Sequence, residues 1–348
     1  MAVVRVLIVD DSPLFRGVVK RILRTIPDVG PIEIARDGVE ALEKIKNFKP
    51  NIVLLDLEMP RLGGIGTLRI ARKKFPESDI IMISGTSGNA ADLTMRALEA
   101  GALDFICKPT EDSAEASDRY LRDKLEPFVV LAATGAARAK RMLSVIEAKR
   151  ITESDDFQPP KEQPVPAGGK LPVPLEIVAI GASTGAPGAL AHVIPNLPRV
   201  LPVPVIVIIH LPAAFSRSLA KQLSSRSQLP VIVATDGAEV KAGKVYLAPG
   251  DKHIRILRDK NSLALKFQIT DENLETGYRP CIDVFLQSMS TVGARCLTVM
   301  MTGMGCDGTK GVKALKSVEG NYCVVQSSDT CVVSSMPDSV TEAGLADE

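Results

Sequence analysis

From residue 4 to residue 108 the chain alternates short runs of Val, Ile and Leu with longer segments whose apolar residues recur every three or four positions. The runs VRVLIVD, IEIARD, NIVLLD, DIIMISG and DFICKP read as five strands, and the segments between them as helices ending near residues 24, 48, 75 and 100. Unbroken apolar runs suit strands buried on both faces, and helical connections between them predict a parallel sheet with right-handed crossovers. The same logic resumes in the second half with EIVAIGAS, VPVIVIIH, VIVAT and KVYLAP. HIRILRD and ALKFQI then read as a hairpin across DKNS, followed by the helix DVFLQSMSTV, the strand RCLTVMMTG, the turn MGCDG, the helix KGVKALKS and the strand YCVVQ. PDSVTEAGLADE reads as a short closing helix. The expected architecture is α/β throughout, with a (βα)5 unit first and a mostly parallel αβα sandwich carrying an antiparallel hairpin second.

The stretch between them differs in pattern. SDRYLRDKLEPF and AARAKRMLSVIEAKR are charged and helical, with breaks predicted at Pro127 and Gly135, and residues 152–174 are polar and rich in proline. An extended, semi-rigid linker is expected there. The predicted domains are residues 1–125, a linker over 126–174, and residues 175–348, a division that fits a chain of 348 residues.

Composition narrows the function. Lys and Arg total 42 against 41 Asp and Glu, so no global basic field points to nucleic acid, and there is no basic recognition helix in the second half. Six cysteines without a C-x-x-C read as free thiols in a reducing compartment. The N-terminus lacks a signal-type pattern and no apolar run reaches the roughly 18 residues that span a bilayer, so a cytoplasmic protein without direct membrane insertion is expected.

Polar residues in the first half stand at strand ends. Asp10 and Asp11 follow strand one, Asp56 ends strand three, Ser84 ends strand four, and Lys108 with Pro109 follows strand five. A parallel sheet gathers those ends on one edge. Three clustered carboxylates raise one another's pKa unless a hard cation neutralises them, which predicts Mg²⁺ held by Asp10, Asp11 and Asp56 with several waters. Asp56 is then a nucleophile towards a phosphoryl group whose oxygens Mg²⁺ and Lys108 steady.

In the second half, Gly181, Ser183 and Gly185 form G-x-S-x-G between an apolar run and a helix, a turn that lifts a serine hydroxyl off a strand end. The serine needs a base, and the chain has three histidines. His210 ends a buried strand on the same edge as Ser183; His192 lies too far along the helix, and His253 is held in reserve. Asp307 after a second strand and glycine turn fits as the orienting acid, with Asp283 as the alternative. Cys306 has no base paired with it.

Two resemblances rest on these residues. VDDSP, LLDLEMPRLGGI, ISG and DFICKP make residues 1–125 resemble the flavodoxin-like receiver domain of two-component response regulators. That resemblance implies that Asp56 takes a phosphoryl group from a histidine kinase, that Asp10 and Asp11 help bind Mg²⁺, that Lys108 contacts the phosphoryl group, and that Ser84 and Phe105 form the switch pair. GASTG, HLP, FSRSLAKQL, YLAPGDKH, RPCID and TGMGCDG, in that order, make residues 175–345 resemble the chemotaxis protein-glutamate methylesterases. Ala186, Ile209 before His210, and SSDTCVVSSMP depart from that family's usual pattern. The resemblance implies a Ser183, His210 and Asp307 triad, Thr184 near the site, and the Met304 N–H in the oxyanion hole. It also implies methyl-accepting chemotaxis receptors as substrates, glutamine deamidation as a second activity, and no cofactor for the esterase step. Two other readings are a non-enzymatic response regulator whose second domain binds a partner, and a serine esterase acting on small esters.

Overall fold

A computed structural model describes residues 3–110, 113–134 and 175–348. Strands β1 (Val4–Val9), β2 (Val29–Ala35), β3 (Ile52–Asp56), β4 (Asp79–Ser84) and β5 (Asp104–Cys107) form one parallel sheet in the order β2-β1-β3-β4-β5. Side chains alternate across it. Val6 and Ile8 enter a layer with helices α1 (Pro13–Leu23) and α5 (Ala114–Thr134), while Leu7 and Val9 enter the opposite layer with α2 (Gly38–Phe48) and α3 (Gly64–Lys74). Helix starts are written locally: Ser12 accepts the Phe15 N–H ahead of Pro13, and Asp37 and Ser87 cap α2 and α4 (Gly88–Glu99) in the same way.

The break predicted at Pro127 does not occur. Helix α5 runs through it to Thr134, because Phe128 and Val129 just beyond are buried in the layer that holds Leu121 and Leu125. That packing outweighs the one N–H that proline removes. Gly135, the basic segment after it and the proline-rich stretch lie outside the described residues.

The second unit is built on six parallel strands: β6 (Ile177–Ala182), β7 (Val205–Ile209), β8 (Val231–Val233), β9 (Val245–Leu247), β12 (Cys296–Met300) and β13 (Tyr322–Val325), in the order β13-β12-β6-β7-β9-β8. The expected hairpin, β10 (His253–Arg258) with β11 (Leu265–Thr270), forms an antiparallel pair of its own beside the main sheet. Ile177, Ala179, Ile206 and Ile208 face the hairpin with helices α8 (Ile282–Thr291), α9 (Thr309–Lys316) and α10 (Ser335–Glu342). Ala182, Val205, Val207 and Ile209 face helices α6 (Ala186–Val193) and α7 (Ala213–Ser224).

The two units share a core layer. Ala91 and Met95 of α4 and Cys107 of β5 are buried with Phe215 and Leu219 of α7. The Phe105 ring stacks on Phe215 at 4.4 Å between centroids, and Arg226 pairs with Glu99 at 2.6 Å. In both sheets the order reverses beside the first strand, so crevices open at the carboxyl ends of β1 and β3, and of β6 and β12.

Candidate active site

Three strand ends meet at the second crevice. Ser183 follows β6, His210 follows β7, and Asp307 sits in the turn between β12 and α9. The His210 Nδ1 lies 3.0 Å from Ser183 Oγ, and its Nε2 lies 2.8 Å from Asp307 Oδ2. A proton on Nε2, donated to Asp307, leaves the Nδ1 lone pair free to accept from the serine hydroxyl.

Each member is held from behind. The Ser183 N–H donates to Thr302 O at 3.0 Å, and the Ser183 carbonyl accepts from the Ala186 N–H at 2.9 Å. Gly185 takes φ +79°, and a Cβ there would lie 2.6 Å from Val332 Cβ, so the turn after the serine requires glycine twice over. Buried Thr302 donates to Thr184 O and accepts from the N–H groups of Val332 and Val333. Asp307 is buried and accepts from the N–H groups of Ile282 (2.8 Å) and Asp283 (2.9 Å) and from the Cys281 thiol (3.2 Å). Burial works to raise the Asp307 carboxyl, but the hydrogen bond and charge of His210 with the two N–H groups outweigh it and hold it below its usual value.

The loop carrying Met304 is pinned on both sides. The Gly303 N–H donates to Val333 O and the Gly305 N–H to Ser335 Oγ. Met304 and Thr184 line one cavity of about 170 Å³ with Ser183 and His210. Phe105, Tyr120 and Phe128 of the first unit line the same cavity from above. Asp104, also from that unit, lines the cavity too and accepts the Phe105 N–H at 2.8 Å; burial raises its carboxyl to about 6.

The remaining sequence candidates stand elsewhere. His253 opens β10 fully buried, with no hydrogen-bond partner for either ring nitrogen among the described residues. Exposed His192 lies on α6, and Asp283 binds the N–H groups of Gly308 and Gly311 instead of a histidine. Cys306 is exposed beside Asp307. Sequence reasoning missed Tyr278, whose ring lies flat on His210 with centroids 4.2 Å apart and planes 4° apart. Its only sequence signal is an aromatic residue directly before RPCID in a chain with four tyrosines.

At the crevice of the first sheet, oxygens of Asp10, Asp11 and Asp56 lie within 4.8 Å of one another. Lys108 Nζ reaches Asp10 Oδ2 at 2.9 Å and Asp56 Oδ1 at 3.1 Å. Burial, and then the neighbouring Asp10 charge, push the Asp56 carboxyl up to about 6 against the pull of Lys108. An all-oxygen donor set with surplus negative charge fits a hard divalent cation. Ser84 is buried at the end of β4, the strand next to that of Asp56, accepting from Thr94 Oγ1 at 2.7 Å and donating to Gly85 O at 3.0 Å.

The six cysteines are all free, and burial raises Cys107, Cys281, Cys296 and Cys323 to about 12, which leaves them unreactive. Among the described residues no helix is long and apolar enough to cross a membrane.

Family models match in the same order as the two sheets. Residues 6–116 match the response regulator receiver domain, and residues 178–348 match CheB methylesterase. A protein-glutamate methylesterase/protein-glutamine glutaminase of Lawsonia intracellularis is 36% identical over 99% of this chain and 95% of its own. One of the same name from Thermotoga maritima is 38% identical over 99% of this chain and 94% of its own. The chain belongs to the CheB methylesterase family. Its second unit is also similar to the crystal structure of the Thermotoga maritima CheB methylesterase catalytic domain, at 41% identity over 50% of this chain and 92% of that one, with a TM-score of 0.47. Membership makes the chain a hydrolase with an N-terminal receiver domain, and neither the binding-module reading nor the small-ester esterase reading finds support.

Proposed function

We propose that Ser183, His210 and Asp307 hydrolyse glutamate methyl esters, and deamidate glutamines, on methyl-accepting chemotaxis receptors, under the control of phosphorylation at Asp56. The observation that carries this reading is the hydrogen-bonded line Ser183–His210–Asp307 on the floor of a cavity roofed by the receiver. Ser183 Oγ attacks the ester carbonyl as its proton passes to His210 Nδ1, and Asp307 steadies the imidazolium. The carbonyl oxygen gains its negative charge beside the Met304 N–H, where a donor is worth roughly 3 kcal/mol. Collapse breaks the C–O bond to methanol, which leaves with the proton from His210. Water, deprotonated by His210, then attacks the acyl-enzyme and releases the glutamate carboxylate with Ser183 regenerated. An amide passes through the same intermediate with ammonia as leaving group.

The cavity of about 170 Å³ holds an ester group but not the receptor helix that bears it, since a helix with side chains is roughly 10–12 Å across. Substrate therefore reaches Ser183 when Phe105, Tyr120 and Phe128 move off it. Asp10, Asp11 and Asp56 would hold Mg²⁺, which neutralises phosphoryl oxygens when bound. Asp56 accepts the phosphoryl group from a histidine kinase, with Lys108 reaching its oxygens. Ser84 and Phe105 lie on β4 and β5, the strands that lead from that pocket to the shared layer. A reducing cytoplasm suits the six free thiols.

Deamidation is tested by incubating glutamine-bearing receptor membranes with the full chain, Mg²⁺ and a small phosphodonor, and weighing receptor peptides. A gain of about 1 Da per site that is lost in His210→Ala is expected for this acyl-transfer chemistry. An unchanged mass with wild type removes the glutaminase activity, and an unchanged gain with His210→Ala removes the triad.

A further inference from the structure

The two hydrogen bonds of His210 fix opposite edges of its ring. They act in the plane of the ring and leave its faces uncovered, and rotation about the His210 Cβ–Cγ bond swings the Nδ1 lone pair off the serine. Tyr278 covers the face that those bonds leave open, at 4.2 Å and 4° from parallel. Its backbone is anchored on both sides: Thr276 Oγ1 donates to Tyr278 O at 3.0 Å, and Asp251 N–H donates to Arg279 O at 3.2 Å. Three residues on, the same segment delivers the Cys281 thiol and the Ile282 and Asp283 amides to Asp307. A Cβ placed on Gly305 would lie 3.3 Å from the Tyr278 hydroxyl, so the far end of the ring rests against the loop that carries Met304. One side chain thus touches the base and the loop beside it.

We propose that Tyr278 is the positioning residue for His210, holding the imidazole plane in line with Ser183 and offering a π face to the imidazolium that forms during attack. A neutral imidazole gains little from that face, whereas an imidazolium gains an electrostatic attraction, so the contact favours the transition state over the ground state. Burial, followed by the nearby charge of Asp307, raises the Tyr278 phenol, which keeps the ring neutral through the working pH range. The aromatic face carries the effect, and the hydroxyl is dispensable. The assignment rests on the Ser183–His210–Asp307 reading of the site.

The test is methanol release from methylated receptor membranes by the full chain activated with phosphodonor and Mg²⁺, comparing Tyr278→Phe, Tyr278→Leu and Ser183→Ala. Tyr278→Phe keeps kcat within about threefold, while Tyr278→Leu loses roughly 10- to 100-fold in kcat with KM within about twofold. A Leu variant as active as the Phe variant overturns the proposal, because a filler of volume would then suffice. A loss confined to KM overturns it too, by making Tyr278 a substrate contact. Activity retained in Ser183→Ala would instead condemn the triad reading. Nuclear magnetic resonance of the imidazole protons gives a readout independent of turnover and of the Leu variant. His210 ring protons lie upfield under the Tyr278 ring current in wild type and in Tyr278→Phe, and the absence of that shift in wild type overturns the stacking itself.

Discussion

Asp307 and Asp283 cap each other's helices. Asp307 accepts the N–H groups of Ile282 and Asp283 at the start of α8, and Asp283 accepts those of Gly308 and Gly311 at the start of α9. Each carboxylate sits where a helix N-terminus favours negative charge, and the exchange locks the turn bearing Asp307 against the helix that orients it. Asp307 Oδ2, which accepts the Ile282 N–H, also meets His210 Nε2 at 2.8 Å.

Removing the cap is therefore expected to cost both stability and rate. Asp283→Ala leaves two amides at α9 without their acceptor and lowers unfolding free energy by about 1–2 kcal/mol. Methanol release falls with it, by roughly tenfold, as Asp307 loses its fixed approach to His210. Urea unfolding and steady-state kinetics on the same preparation check the pair, and a variant with unchanged stability would show that the crossed caps are not structural.

Gly185→Ala tests the turn behind Ser183. The backbone there has φ +79° and a Cβ meets Val332 at 2.6 Å, so the substitution is expected to destabilise by more than about 1 kcal/mol. Turnover falls because the same residue follows Thr184 directly. A variant that melts and turns over like wild type would remove the requirement for glycine.

Much of this site was legible because a parallel sheet turns strand order into position. Runs ending in Asp10, Asp56, Ser183 and His210 had to present those side chains at one edge of a sheet, so sequence alone brought the candidates together. What it could not supply was contact between elements distant in the chain. Tyr278 belongs to a loop without periodicity, and its stacking on His210 depends on how that loop returns across the sheet edge. Asp307 was preferred to Asp283 from its place after a strand and glycine turn, and the contact of Asp307 with His210 is the detail that only the fold supplies. Pro127 signalled a break because local propensity was read without the burial of Phe128 and Val129, and His253 proved to be a core residue of the hairpin.

The Phe105–Phe215 stack and the Arg226–Glu99 pair hold the receiver over the cavity. Phe105→Ala is expected to raise methanol release without phosphodonor several-fold and to shrink the further gain on adding it, since closure rests on a few kcal/mol. Basal activity equal to wild type would place the closing energy elsewhere.

Asp104 makes closure depend on pH. Burial in the closed form raises its carboxyl from 3.8 to about 6, so the closed form holds more protons than the open one between those values. Closure therefore strengthens as pH falls through about 6, and weakens above it, where the buried group is ionised. The ratio of basal to phosphodonor-activated methanol release is expected to rise from about pH 5.5 to 7.5, and to flatten in Asp104→Asn. A wild-type ratio independent of pH would exclude this role for Asp104.

The most direct test of the whole account is methanol release from methylated chemoreceptor membranes, with and without phosphodonor and Mg²⁺, by wild type, Ser183→Ala and Asp56→Asn. The account predicts release by wild type that rises with phosphodonor and Mg²⁺, near-complete loss in Ser183→Ala under every condition, and a basal rate in Asp56→Asn that phosphodonor does not raise. Release that survives in Ser183→Ala, or full activation of Asp56→Asn, would contradict it.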